Sequence, residues 1–438
     1  MTEPSTRDVS GARRAAAAAF IGTTIEWFDF YAYATAASLV FGSLFFPAGT
    51  SASVGLMASF ATYAVGFLVR PLGALVFGHF GDRVGRRATL VTTLLIMGGA
   101  TFAIGVLPTY ASVGVLAPVL LLVLRFAQGL AVGGEWGGAV LMAVEHAPGR
   151  SKTFYGSFAQ LGNPAGAALA TGSFSVLSGY GPAALHDWGW RLPFLCSAIL
   201  VVIGLVIRLK VTESPVFLRV REERAVAELP VRVALRTSWR TILRGIGILP
   251  AATGGYYIVT TYLLAYSTND LHLDAQLILD GLTIASVVEL VATLAVSWLG
   301  DRFGARRVFV TGLVVVALLA APQFLVMSSG STVLIFLLLA VMRVSMSATY
   351  GPAAAILAQL FPAPARYTSV SLSYQMAAAL FGGFSPLVCT ALVAAFGGVT
   401  PVIVLLVAMC ALGIGCLAGA PYFHDEPRSD LAKGSLRA

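Results

Sequence analysis

Seven ionisable side chains of this sequence fall inside long apolar stretches: Glu26, Asp29, Arg70, Arg125, Glu135, Glu289 and Arg343. A charge in such surroundings is costly, so each marks a functional group or the partner of one. Glu26 and Asp29 stand in Glu26-Trp-Phe-Asp-Phe-Tyr-Ala-Tyr33. Three residues apart on a helix, they share roughly one face, with Tyr33 four beyond Asp29 on it. Two acids and a phenol suit a proton or cation site, because a low dielectric disfavours the carboxylate and lets an acid load and release a proton near neutral pH. Arg125, in Arg125-Phe-Ala-Gln-Gly129, can grip a substrate carboxylate with two N–H groups or set the charge state of a nearby acid. Glu135, ten residues on, is a further proton carrier. Arg70, Arg343, Glu289 and Tyr33 join Arg125 as candidates for holding substrate. Fixed ion pairing between helices is the competing account of all of them. No phosphate-binding loop, metal-ligand cluster or nucleophile–base set accompanies these groups. Hence neither ATP use nor catalysis is expected, and no metal or cofactor beyond a proton gradient. The four cysteines lie singly in apolar stretches, as packing residues do.

The scaffold around them follows from composition. Hydrophobic residues make up 58% of the 438 and charged residues 11%, against about 25% charged in soluble domains. Such a chain cannot cover a water-exposed surface. Spanning segments must satisfy their own backbone hydrogen bonds, as helices of about 20 residues or as a closed barrel. The runs here are continuous rather than alternating, so helices are read. The expected spans are Ala17–Leu44, Val54–Phe77, Thr89–Leu107, Val113–Val140, Thr153–Ser178, Leu192–Leu209, Thr241–Tyr266, Leu277–Leu299, Val308–Met327, Thr332–Ala358, Tyr367–Ala394 and Pro401–Tyr422. The fold class is thus all-α and integral to the membrane, with twelve transmembrane helices in two six-helix halves: residues 1–209 and 241–438, joined by a cytoplasmic loop, 210–240.

Placing the N-terminus inside puts nearly all Lys and Arg on cytoplasmic segments, as topology requires. The net charge of +8 is therefore orientation and not a nucleic-acid surface. Both termini are expected in the cytoplasm. Arg191, beside Trp188 and Trp190, is the exception, and reads as an interfacial anchor at the outer face. The halves echo each other. Gly81-Asp-Arg-Val-Gly-Arg-Arg87 and Gly300-Asp-Arg-Phe-Gly-Ala-Arg306 lie 219 residues apart, and Arg125 and Arg343 lie 218 apart. Two unrelated features at nearly one offset indicate duplication, and paired halves with a site between them are a transporter architecture. In these loops glycines give tight turns, and an acid beside basic residues can act as a conformational latch: Gly78, Asp82, Arg83, Gly85, Arg86 and Arg87 in the first, Asp301 and Arg302 in the second.

Gly78-His-Phe-Gly-Asp-Arg-Val-Gly-Arg-Arg87, with its partial copy, resembles the loop signature of the major facilitator superfamily, and Arg125-Phe-Ala-Gln-Gly resembles that superfamily's fourth-helix motif. Gly22-Thr-Thr-Ile-Glu-Trp-Phe-Asp-Phe-Tyr31, Gly133-Gly-Glu-Trp-Gly-Gly138, Trp188-Gly-Trp-Arg-Leu-Pro-Phe194, Glu213-Ser-Pro215 and Arg366-Tyr367 resemble its metabolite:proton symporter branch. The resemblance implies a carrier for a solute such as shikimate, 2-oxoglutarate, citrate, or proline and betaine. Ala305 stands where the second signature usually has a basic residue, and Gln359 where the branch often has Glu. The expected protein is a proton-coupled symporter in a bacterial inner membrane, taking up a small organic acid or zwitterionic metabolite by alternating access, with one copy of the chain sufficing. A proton-driven exporter is the rival in the same class, and a transporter-derived sensor the rival from another.

Overall fold

The computed structural model describes residues 6–84, 86–133, 160–210, 230–361 and 366–420. For 6–19, 78–84, 86–87, 90, 182, 208, 210, 230–237 and 366–367 it gives the backbone course alone. Within these bounds the chain forms helical rods without strands. We label them α1 (6–44), α2 (52–84), α3 (Arg86–Val106), α4 (Leu116–Val132), α5 (Gly162–Ser178), α6 (Arg191–Lys210), α7 (230–270), α8 (Ala275–Phe303), α9 (Ala305–Met327), α10 (Thr332–Gln359), α11 (366–396) and α12 (Thr400–Ala418). Seven stretches, in α2 and α7 to α12, are long and apolar enough to cross a membrane by length and composition.

Proline shapes the rods that line the centre. A proline lacks an N–H and clashes with the preceding turn. Accordingly α2 breaks at Val69 before Pro71, α7 at Leu249 before Pro250, α10 at Gly351 before Pro352, and α11 at Phe384 before Pro386. π-helical turns add to the distortion, at Ala37–Phe41 in α1, at Ala251–Gly255, Ile258–Tyr262 and Tyr266–Asp270 in α7, and at Ala378–Gly383 in α11. Interrupted helices free backbone groups that a membrane tolerates only inside protein. In keeping with this, 83% of the α7 apolar window is buried, against 33% for α12. Outward faces such as Leu75, Val202, Val291, Leu318 and Leu337 are exposed aliphatic surface suited to lipid.

Two sequence expectations change in detail. The seventh rod begins at Pro230, inside the stretch read as a loop, because proline is well placed at a helix start. Trp188 is exposed, as an interfacial ring should be, but Trp190 is buried among Phe41, Phe45 and Phe194. Its neighbour Arg191 donates to the carbonyls of Gly105 and Leu107 at 2.8 and 2.6 Å, closing the open end of α3. Between α8 and α9 the expected tight turn is a single residue, Gly304, with φ +96°, a conformation that favours glycine.

Candidate functional site

The described residues bury six charged side chains, and all are among the seven singled out by sequence: Glu26, Asp29, Arg70, Arg125, Glu289 and Arg343. The seventh, Glu135, lies outside the described residues. Helix packing on small residues holds these charges in place. Gly66 and Gly73 of α2 face Gly129, Leu130 and Gly133 of α4, so the two backbones touch. A Cβ on Gly66 would stand 2.6 Å from Arg125 Nε. The seat of the Arg125 guanidinium is thus a missing side chain on the neighbouring helix. Gly162 and Gly166 of α5 pack against Thr23, Thr24 and Phe28 of α1 in the same way.

Arg125 is held by aromatic faces rather than by an acid at bonding distance. Its guanidinium carbon is 4.5, 4.2 and 4.8 Å from the ring centres of Phe30, Tyr33 and Tyr63, an arrangement worth about 2 kcal/mol or more when dry. Its Nη1 donates to Gln128 Oε1 at 3.0 Å, and Gln128 Nε2 donates to Thr101 Oγ1 at 2.7 Å. Thr101 donates onward to the Met97 carbonyl. Asp29 sits beside Thr101 and Arg125, yet neither carboxyl oxygen accepts a hydrogen bond, and Arg125 Nε and Nη2 donate none. The acid and two of the three nitrogens of the base thus keep bonding capacity in reserve. Tyr33, expected as a substrate contact, is committed instead: its hydroxyl pairs with Thr62 at 2.6 Å and its ring underlies Arg125. Glu26 has a different neighbourhood from Asp29. Its charge acts on Tyr350 and Tyr374 of the second half, because three residues of helix turn it about 60° away.

The second half has a closed arrangement. Arg343 Nη2 meets Glu289 Oε2 at 2.7 Å and Ser286 Oγ at 3.0 Å. Tyr256 donates to the same glutamate oxygen at 3.0 Å, and its ring lies 4.4 Å from the Arg343 guanidinium carbon. Ser286, Tyr256, Gln128, Thr101 and Gly66 escaped the sequence reading. Gln128 and Ser286 lie three residues from Arg125 and Glu289, so helix spacing alone could have nominated them.

Between the halves lie two small cavities. One is bounded by Tyr31, Thr35, Thr171, Thr261, Ser286 and Arg343, the other by Trp27, Phe67, Arg70, Asn163, Tyr257 and Tyr374. They measure ≈ 20 and ≈ 10 Å³, room for about one water each. Rings from both halves fill the rest, with Tyr63–Tyr257 centroids 5.8 Å apart and Phe67–Tyr257 5.4 Å apart. Toward the end of the bundle that holds the α1–α2 and α7–α8 turns the halves bond directly. Ser38 donates to the Thr261 carbonyl at 3.1 Å, Asn269 donates to the Ser38 carbonyl at 3.2 Å, Thr171 pairs with Thr283 at 2.8 Å, and Ser175 donates to Asp280. On the other side Gln375 donates to the Gly133 carbonyl at 3.2 Å.

Of the latch residues, Asp301 is half-buried and Arg302 is exposed over Trp298 and Phe303, 5.4 Å from each ring. Gly78, Asp82, Arg83, Arg86 and Arg87 fall on the adjoining ends of α2 and α3, where only the backbone is described, and Gly85 lies outside the described residues.

Residues 15–238 match the family model "Sugar (and other) transporter" and residues 245–438 the model "Major Facilitator Superfamily". The inner membrane metabolite transport protein YhjE of Escherichia coli is 43% identical over 387 residues, spanning 87% of this chain and 88% of that one. The chain belongs to the major facilitator superfamily. Within it the relatives place the chain in the metabolite:proton symporter branch. The shikimate transporter of E. coli is 38% identical, with 90% of this chain and 91% of that protein covered. The E. coli proline/betaine transporter is 36% identical, over 85% of this chain and 76% of its own length. Among solved structures, a D-xylose-proton symporter superposes with a TM-score of 0.73 at 18% identity, covering 93% of this chain and 97% of that one, which shows the fold. This chain is therefore a multi-pass inner-membrane transporter of the twelve-helix superfamily fold, a secondary carrier and not an enzyme.

Proposed function

We propose that this protein is a proton-coupled symporter that takes up a small organic acid or zwitterion by alternating access. The observation that carries the reading is the charge balance of the buried centre. Among the described residues three carboxyls, Glu26, Asp29 and Glu289, stand against three guanidiniums, Arg70, Arg125 and Arg343. Counting these six alone, the fully ionised empty centre is neutral. One proton on an acid leaves a charge of +1, which a substrate of one net negative charge restores to neutrality, so the balance favours the organic acid over the zwitterion. The empty and doubly loaded states are balanced, whereas either half-loaded state buries an uncompensated charge, which is strongly unfavourable. Only the balanced states reorient readily, and that is coupling.

In this reading Asp29 is the proton carrier, since its oxygens are uncommitted and Arg125 stands ready to pair with it once deprotonated. Glu26 and Glu135 assist. The two halves, 1–209 and 241–438, rock about the central site, joined by the 210–240 segment, with both termini in the cytoplasm and a single copy as the working unit. The shikimate and proline/betaine relatives support a carboxylate-bearing solute. The test is uptake into proteoliposomes under an imposed inward proton gradient, with shikimate, 2-oxoglutarate, citrate, protocatechuate, proline and betaine. Accumulation of one solute that collapses with a protonophore is the expected result. Solute expelled against the gradient would establish antiport instead, and uptake indifferent to the gradient would sink the coupling.

A further inference from the structure

The duplicated halves carry different charges at one equivalent position. Eleven residues separate Arg70 from Gly81, and eleven separate Glu289 from Gly300, so the repeated Gly-Asp-Arg turn aligns Arg70 with Glu289 without a gap. Arg125 aligns with Arg343 by the same duplication. In the second half this pair of positions holds Glu289 and Arg343, closed at 2.7 Å. In the first half it holds two arginines. Arg70 and Arg125 share the Phe30 ring, their guanidinium carbons 4.1 and 4.5 Å from its centre. Arg125 has Asp29 beside it. Arg70 has no carboxylate within ion-pair range among the described residues, and its Nε and Nη2 donate to nothing although it is 2% exposed. Aromatic rings satisfy its charge in part, with the Phe67 centre 4.0 Å away.

Arg70 also lines the inter-half cavity with Trp27, Asn163, Tyr257 and Tyr374. The Tyr257 hydroxyl there is likewise without a partner. We propose that Arg70 is the anchor for the substrate's carboxylate, filling in trans the place that Glu289 fills within the second half. The three arginines then divide their labour. Arg343 is bound internally to Glu289, Arg125 serves the proton site at Asp29, and Arg70, which among the described residues has no acid paired with it and lines the cavity, is left for an anion. Because this cavity takes its walls from both halves, parting them on either side widens it around the guanidinium. The proposal rests on the carboxylate-carrier reading and names the residue that gives the carrier its preference for an anion.

The test separates an acid from its neutral isostere. Detergent-purified full-length protein is titrated with shikimate, benzoate and proline, each against its carboxamide, and ligand stabilisation is read as a thermal shift. Wild type is expected to respond to at least one acid at roughly tenfold to hundredfold lower concentration than to its amide, the range for charge-assisted hydrogen bonds. Arg70→Gln should bring that ratio to about one, and Arg70→Lys, which keeps the charge but not the fork, to an intermediate value. A second measurement needs no variant: phenylglyoxal labelling of Arg70 in wild type, read by peptide mass spectrometry, should be slowed by the acid and not by the amide. A wild-type ratio of one for every pair, an unchanged ratio in Arg70→Gln, or equal labelling rates would overturn the assignment. An Arg70-dependent acid preference without gradient-driven uptake keeps the anchor and removes the symport reading. Gradient-driven uptake without that preference does the reverse.

Discussion

Arg343 and Glu289 form a buried ion pair at 2.7 Å, while Arg125 and Asp29 form none, both Asp29 oxygens and Arg125 Nε and Nη2 being without a hydrogen bond. The same superfamily helices thus hold one pair built for permanence and one free to change. In the proposed cycle the first half is where charge changes, and the second half is the counterweight.

The closed pair makes a stability prediction. Glu289→Gln leaves Arg343 buried without its counter-charge, at a cost of about 3–5 kcal/mol. Tyr256→Phe removes one hydrogen bond to the glutamate and should cost about 1.5–3 kcal/mol, as bonds to charged groups do. Thermal unfolding of the detergent-solubilised protein ranks the two. A Glu289→Gln protein as stable as wild type would show that the pair is dispensable to the fold.

Gly66 carries a second prediction. An alanine methyl there would stand 2.6 Å from Arg125 Nε, so Gly66→Ala must displace the guanidinium or part α2 from α4. Uptake is expected to fall at least about tenfold, since misplacing a working group by an ångström costs that or more. Gly99→Ala, where a methyl meets nothing within 4 Å, should leave uptake near wild type. Equal activity of the two variants would remove Gly66 from the site.

The bundle and its charged centre were legible because the membrane makes both conspicuous. Long apolar runs have one spanning solution, and an ionisable residue inside one is an anomaly that reading alone detects; all six described members of the set are buried. The pairing among them was not legible. Which acid meets which arginine depends on how far each helix turns about its axis, and no spacing rule fixes that for groups on different helices. Glu26 and Asp29 read as one face, yet they meet different halves of the protein. Tyr256 and Tyr257 were invisible for another reason: in an uncharged run nothing separates a ring that lines a cavity from one that fills a core. The start of α7 was misplaced because basic residues near Arg236 and Arg240 resemble a loop in composition, while the backbone there is already helical.

The contacts between α5 and α8, at the outer face in the proposed orientation, predict a gate that can be locked. Thr171 and Thr283 touch at 2.8 Å, and Ser175 donates to Asp280 one turn further out. A Thr171→Cys/Thr283→Cys protein, oxidised, should hold the halves together at the outer face and stop uptake, with activity returning on reduction. Single cysteines at either position should transport before and after oxidation. Unimpaired uptake by the oxidised double variant, with the cross-link confirmed by mass spectrometry, would mean that this face does not open during transport.

Asp29 gives the sharpest division between binding and coupling. Asn has nearly the same shape and cannot take up a proton, so Asp29→Asn resembles the protonated acid held permanently in place. Arg125 then lacks the carboxylate it would pair with, and the centre carries the extra positive charge that a bound carboxylate neutralises. The substituted carrier should bind substrate and exchange it across the membrane, because exchange needs only the loaded state to reorient. It should not accumulate substrate against a gradient, because the empty state keeps an uncompensated charge and returns slowly. Exchange should also lose the dependence on pH expected of wild type. Counterflow and gradient-driven uptake measured on one proteoliposome preparation, between pH 5.5 and 8.5, distinguish the cases. Retained counterflow with lost accumulation assigns the proton to Asp29. Loss of both assigns Asp29 to substrate binding or to the fold, and full retention of both moves the proton to Glu26 or Glu135.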